Sequence, residues 1–309
     1  GETVVIGKEI DDPYVELVKK CQMNPDLDKS GFKVIYTPNH GASYETAMRV
    51  FQEVGYEIIP VVEQCNHDPA FGGTKSPNPE VAASWELPIE YMKRHNADLA
   101  VMTDPDGDRC GLAYLSSKGT YERLTGNQSG ALLIDYLFSQ RIEKGTMPEH
   151  PVMYDTIVTS SLGEDVARSY GVAVESFLTG FKFIGERIAH YENLGHGPTF
   201  VFGYEESYGC LIEPFARDKD GIQAIDEEKF VSLAPSMDTM IFDAAAIKNI
   251  KGTGYDFSLC KAFQTGEVYL QMAYNAYYTN LEISLCNAWF DAKAVYGEEL
   301  DVDIEAKAD

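Results

Sequence analysis

The chain has 309 residues and a formal net charge of −24 at pH 7, from 49 acidic against 25 basic side chains. Its length suggests about two domains, and its charge disfavours nucleic acid or an anionic membrane as a partner. A phosphorylated ligand must therefore be drawn in by local cations, against the overall field. No apolar run reaches the roughly 18 residues of a membrane-crossing helix, and no secretory signal is recognisable. The six cysteines (Cys21, Cys65, Cys110, Cys210, Cys260 and Cys286) are scattered without a C-x-x-C pair. That usage fits reduced thiols and a cytoplasmic protein better than a disulfide framework.

The chain opens with Gly-Glu, not Met, and residues 3–6 read as a strand, so a piece of a longer protein is expected. Residues 13–20 (PYVELVKK) read as a short amphipathic helix, and residues 33–36 (KVIY) as a strand entering the turn Thr37-Pro38-Asn39-His40-Gly41. Ala47, Val50, Phe51 and Val54 then share one helical face, with Gly55 as the stop. Residues 56–62 form the next predicted strand. This alternation is a βαβ unit, which implies a parallel sheet with helices on its faces. After a Gly/Pro-rich loop at 71–80, a helical stretch over 79–96 contains Pro88, predicted to kink or restart it. Residues 97–103 (ADLAVMT) read as a buried strand.

That strand runs into Asp104-Pro105-Asp106-Gly107-Asp108-Arg109. Three carboxylates at alternate positions on a tight turn repel one another, and a hard divalent cation relieves that cost. Mg²⁺ takes oxygen ligands in a near-octahedral shell at about 2.0–2.1 Å. Gly107 lets the turn close so that Asp104, Asp106 and Asp108 converge, and the Arg109 guanidinium suits a phosphate. An EF-hand is rejected, because its sixth and twelfth positions would fall on Arg109 and Leu115 instead of Gly and Glu. An acidic surface loop without a ligand is the plainer alternative. Ligands in open α/β sheets lie beyond the carboxyl ends of the strands. The acidic loop and His40 both lie at such ends, although a turn histidine bonded within its own loop is the simpler reading of His40.

A strand hairpin is expected around 114–121, and residues 124–130 (LTGNQSG) lead into the apolar helix ALLIDYLF. Strands follow at 152–158 and 172–177, separated by a helix capped by Ser160 or Ser161 and ending near Gly171. Residues 178–185 (LTGFKFIG) begin another helix, where Lys182 is a candidate phosphate ligand or proton-transfer group; a solvated lysine is the alternative. A strand at 199–202 closes on the loop 203–209 (GYEESYG). There Glu205 and Ser207 can both point at one ligand, and a carboxylate with a hydroxyl suits vicinal sugar hydroxyls.

Taken in order, TPNHG (37–41), KSPNPE (75–80), ADLAVMTDPDGDR (97–109), LTGNQSGALL (124–133), TIVTSSL (156–162), LTGFKFIGE (178–186), FGYEESYG (202–209) and ARDKDGIQA (216–224) resemble the α-D-phosphohexomutases, within them the phosphoglucomutase/phosphomannomutase group. The resemblance covers roughly residues 1–224. It implies two mixed α/β sheet domains of the phosphohexomutase type. These are the family's second domain at 1–121, with a metal loop, and its third at 122–245, with a sugar loop; 246–309 is an unassigned tail. The first and last domains would be missing partners. It further implies Mg²⁺ on Asp104, Asp106 and Asp108, and Arg109 on a phosphoserine or substrate phosphate. Glu205 and Ser207 would grip the sugar, with Thr179 and Gly180 also on the substrate. Lys182 becomes the proton-transfer candidate, and His40 a catalytic neighbour of the phosphoserine. The substrates would be hexose phosphates, interconverted between 1- and 6-phosphate through a bisphosphate.

Two departures stand beside it. The family's nucleophile sits in a Ser-His-Asn-Pro type loop, and no serine here precedes a histidine. Beyond Ala224 the motifs fade into apolar helical runs at 240–250 and 267–278, a Gly-rich loop at 251–255 and an acidic end. The chain by itself is therefore expected to be inactive. The alternatives are a non-catalytic binder of sugar phosphate or metal, a phosphopentomutase-type relative, and a plain α/β domain with an acidic surface loop.

Overall fold

A computed structural model of the protein describes residue 4, residues 6–116 and residues 119–225. The expected helical runs, Gly-rich loop and acidic end beyond 225 lie outside the described residues. Within them the chain builds two mixed sheets of the same design. In the first, β1 (Lys33–Thr37) lies parallel to β2 (Glu57–Pro60) and to β3 (Leu99–Thr103), and β3 continues antiparallel to β4 (Cys110–Leu115) and β5 (Tyr121–Arg123). In the second, β6 (Pro151–Thr156) is parallel to β7 (Ala173–Phe177) and to β8 (Thr199–Tyr204), with a short antiparallel β9 (Cys210–Leu211). The two expected mixed α/β sheet domains are observed.

Seven helices accompany these strands among the described residues: α1 (Lys8–Lys19), α2 (Tyr44–Glu53), α3 (Glu86–His95), α4 (Gly126–Glu143), α5 (Ser161–Ser169), α6 (Lys182–Leu194) and α7 (Gly221–Ile225). Alternate residues on each strand face opposite helical layers, as the period of two requires. Ile35, Ala100, Met102 and Ala113 pack with Trp85, Tyr91 and Met92 of the α3 side. Val34, Tyr36, Leu112 and Tyr114 face the other way, into a core that continues through Leu133, Leu137 and Phe138 of α4 to Met153 and Phe202. One apolar core thus runs through both sheets, with α4 built into it. Both faces are covered, so the strands read as continuous apolar runs instead of alternating ones. Thr125 starts α4 with a reciprocal cap: Gln128 N–H donates to its hydroxyl at 3.2 Å, and Thr125 N–H donates to Gln128 Oε1 at 2.8 Å.

Two local expectations change, and one left open between two outcomes is resolved. Residues 3–6 were expected as a strand, but Val4 and Ile6 lie outside any strand and are 73% and 63% exposed. The first helix begins at Lys8, five residues before the expected 13, and takes Pro13 into its interior. Of the two outcomes expected at Pro88, the helix restarts: a 3₁₀ turn at Ala82–Trp85 passes into α3 at Glu86. Pro88 then sits in the first turn, where no intrahelical acceptor awaits its missing N–H. No described helix is long and apolar enough to cross a membrane.

Candidate active site

The acidic loop connects β3 to β4 beyond the carboxyl end of β3. Gly107 turns it with φ +79°, and its N–H donates to Asp104 O at 3.1 Å. One oxygen from each of Asp104, Asp106 and Asp108 lies within 4.8 Å of the others. Asp104 is buried, and its Oδ1 accepts the Arg109 N–H at 3.1 Å. Burial, a hydrogen bond that its protonated form donates to Asp106, and the charges of Asp108 and Asp106 push the Asp104 carboxyl well above the usual carboxylate range. The Arg109 guanidinium lies 3.4 Å from Asp104, 3.8 Å from Asp108 and 3.3 Å from Glu80.

The 37–41 turn supports this loop from behind. Ala42 N–H donates to Pro105 O at 2.9 Å, and Asn39 Nδ2 donates to Thr103 O at 2.9 Å. A Cβ on Gly41 would stand 2.4 Å from Pro105 Cα, so only glycine admits this approach. Asn39 and His40 take left-handed φ values of 48° and 62°. His40 is buried; its Nδ1 donates to Asn66 O at 2.8 Å, and its Nε2 accepts from Gly73 N–H at 3.1 Å. Both ring nitrogens are thus bonded to backbone, and His40 straps the 66–73 loop to the turn.

The second loop leaves β8. Glu205 is 7% exposed; its N–H donates to Gly209 O at 2.8 Å, and its Oε1 accepts Gly180 N–H at 3.1 Å. Gly180 reaches that position with φ +112°. Tyr208, at φ +72°, donates its hydroxyl to Leu124 O at 2.7 Å. A Cβ on Gly126 would stand 1.9 Å from Glu206 O, so the start of α4 closes directly on the loop. Ser207 is half-buried beside Glu205, and Thr179 is exposed next to Gly180. Lys182 is exposed at the first position of α6, with its ammonium 5.0 Å from the centre of the Phe183 ring.

The two loops meet. Arg109 and Gly209 form an antiparallel bridge, Cys110 N–H donates to Tyr208 O at 3.1 Å, and Gly221 N–H donates to Gly107 O at 3.1 Å. Lys219 spans the junction, with its Nζ 2.9 Å from Asp108 Oδ2 and 3.4 Å from Glu205 Oε2. Of the residues expected at the site, Asp104, Asp106, Asp108, Arg109, Gly180 and Glu205 are joined through this network. Lys219 was missed. It lies in the quoted ARDKDGIQA motif, but nothing in its local sequence says which carboxylates it meets.

Residues 12–116 match the family model for phosphoglucomutase/phosphomannomutase, alpha/beta/alpha domain II, and residues 125–225 match that for domain III. A phosphoglucomutase from Staphylococcus aureus is 36% identical over 219 residues, which is 71% of this chain and 38% of the relative. The chain thus spans about two fifths of the length of the curated relatives it matches. The fold is similar to that of a phosphoglucomutase/phosphomannomutase family protein from Burkholderia thailandensis, with a TM-score of 0.54 at 18% identity, covering 70% of this chain and 43% of the other. It is also similar to parafusin, a phosphoglucomutase from Paramecium, in its open form (TM-score 0.52, 20% identity, 72% of this chain and 37% of the other). The paired sheets, the two loops at their carboxyl ends and these matches agree: the chain belongs to the phosphoglucomutase/phosphomannomutase family.

Proposed function

We propose that this chain supplies the metal loop and the sugar loop of a cytoplasmic phosphohexomutase that interconverts hexose 1-phosphate and hexose 6-phosphate. The observation that carries the proposal is the backbone junction of the two loops, which presents three convergent carboxylates beside Glu205. The donor set fits Mg²⁺: three hard carboxylate oxygens lie close enough to share one ion, and burial together with the neighbouring carboxylates raises Asp104. Bound there by Asp104, Asp106 and Asp108, the ion would fix a phosphate oxygen and withdraw charge as a phosphoryl group transfers.

The chain's own residues do the rest. Arg109, already among carboxylates, turns its guanidinium to a phosphate. Glu205, fixed by Gly180, accepts from two adjacent sugar hydroxyls, and Ser207 supplies a third polar contact. Thr179 and Gly180 line the same rim. Lys182, exposed at the start of α6, meets the distal phosphate or moves a proton at a sugar oxygen. Such a reaction passes through a bisphosphate and needs a phosphoserine; no serine here has the family's Ser-His context, so the chain alone is expected not to turn over.

A crossed binding experiment with glucose 1-phosphate and Mg²⁺ tests the assignment. Glu205→Ala should weaken glucose 1-phosphate binding by about tenfold or more and change Mg²⁺ affinity far less. Asp106→Ala should abolish Mg²⁺ binding. Equal loss of both ligands in each variant would make the loops scaffolding and overturn the reading.

A further inference from the structure

Lys219 is built into its place. Its side chain is 14% exposed and passes over Gly209, where a Cβ would stand 2.1 Å from Lys219 Cδ. The backbone behind it is pinned on both sides of the junction: Asp220 N–H donates to Cys210 O at 2.8 Å, and Gly221 N–H to Gly107 O at 3.1 Å. A Cβ on Gly221 would lie 2.6 Å from Arg109 O. The Asp220 carboxylate accepts the Tyr14 hydroxyl at 2.8 Å and 2.9 Å, which ties the segment to α1. Such a lysine is largely withdrawn from solvent. It delivers one ammonium to two carboxylates that belong to different loops.

That position carries two opposed consequences. Asp108 is one of the three carboxylates able to share a divalent ion, so an ammonium 2.9 Å from its Oδ2 occupies a ligand oxygen and repels an incoming dication. Glu205 lies on the other side at 3.4 Å, next to the loop where a sugar phosphate would bring negative charge. The same ammonium therefore opposes a cation at one loop and favours an anion at the other.

We propose that Lys219 is a resident counter-ion that couples the two loops: it competes with the metal for Asp108 and, on leaving Asp108, turns to Glu205 and the anionic ligand. Metal and sugar phosphate then bind with positive coupling, and by linkage each strengthens the other by the same factor. The inference rests on the magnesium reading above. It adds to that reading a residue that sets the balance between the two ligands.

The test is titration of this chain with Mg²⁺ and, separately, with glucose 1-phosphate, followed by heat and by the shift in melting temperature. Lys219→Met should bind Mg²⁺ about tenfold more tightly than the parent and glucose 1-phosphate about tenfold more weakly. Lys219→Gln, neutral and shorter, should move both affinities in the same directions, whereas Lys219→Arg should stay near the parent. Damage to the fold would weaken both ligands together, so opposite shifts from one substitution are the signature. Unchanged or weaker Mg²⁺ binding in Lys219→Met and Lys219→Gln, with a binding-competent parent, overturns the coupling and leaves the metal reading intact. A parent that binds no Mg²⁺ overturns both.

Discussion

Arg109 and Gly209, a hundred positions apart in sequence, pair as a single antiparallel bridge, so the acidic loop and the Glu205 loop share backbone hydrogen bonds. Ordering one loop should therefore be felt in the other. Cys110 N–H is bonded to Tyr208 O, and Glu205 N–H to Gly209 O. Saturating Mg²⁺ should slow hydrogen exchange at both amides by about tenfold or more, since a ligand that binds only the closed form stabilises it by mass action. Asp106→Asn should remove the effect. Protection confined to residues 104–109 would mean that the bridge does not transmit.

Asp155 supplies a pH dependence of known sign. It is fully buried next to the end of β6, and burial pushes its carboxyl up to about 7. In the unfolded chain the same group loses its proton near pH 4. Folded and unfolded states thus bind the proton equally below about pH 4, while between about pH 4 and 7 the folded state binds more. Stability falls as pH rises through that window and then levels. Asp155→Asn keeps the shape without the charge. Its urea midpoint relative to the parent should rise across the window, reaching an advantage of about 2–4 kcal/mol at pH 8. A parallel pair of profiles would contradict this.

Tyr204, the residue before Glu205, is wedged between two glycines. A Cβ on Gly130 of α4 would lie 2.3 Å from its Cε2, and one on Gly163 of α5 would lie 2.1 Å from its hydroxyl oxygen. That hydroxyl has no hydrogen-bond partner among the described residues. Tyr204→Phe should be nearly neutral, within about 1 kcal/mol. Gly163→Ala should cost about 1–3 kcal/mol despite alanine's better helix propensity. In the Tyr204→Phe background the cost should shrink, giving a coupling of at least about 0.5 kcal/mol in a double-mutant cycle. Additive losses would mean that the helix moves away from the ring.

Much of this architecture was legible because its causes are local. The apolar face of Ala47, Val50 and Phe51 is the buried face of α2, and Ser160 does cap α5. The alternating aspartates around Gly107 announce a turn that gathers carboxylates. Three features could not be read this way. His40 is bonded to Asn66 and Gly73, whose nearness to it depends on the folded 66–73 loop. Lys219 acquires its meaning only where the two loops meet. Residues 3–6 (TVVI) are a β-branched run such as a strand would use, yet local pattern does not supply a sheet to join, and Val4 and Ile6 remain exposed.

The most direct test of the account is calorimetric titration of Mg²⁺ into this chain and its Asp106→Asn variant at pH 7.5. Asp106 is the most exposed of the three loop aspartates, so its substitution leaves the buried support of the turn in place. The parent should bind one Mg²⁺ per chain, and the variant should lose at least about tenfold in affinity. Indistinguishable titrations would contradict this, and the loop would then be an acidic turn whose charge is offset by Arg109 and Lys219.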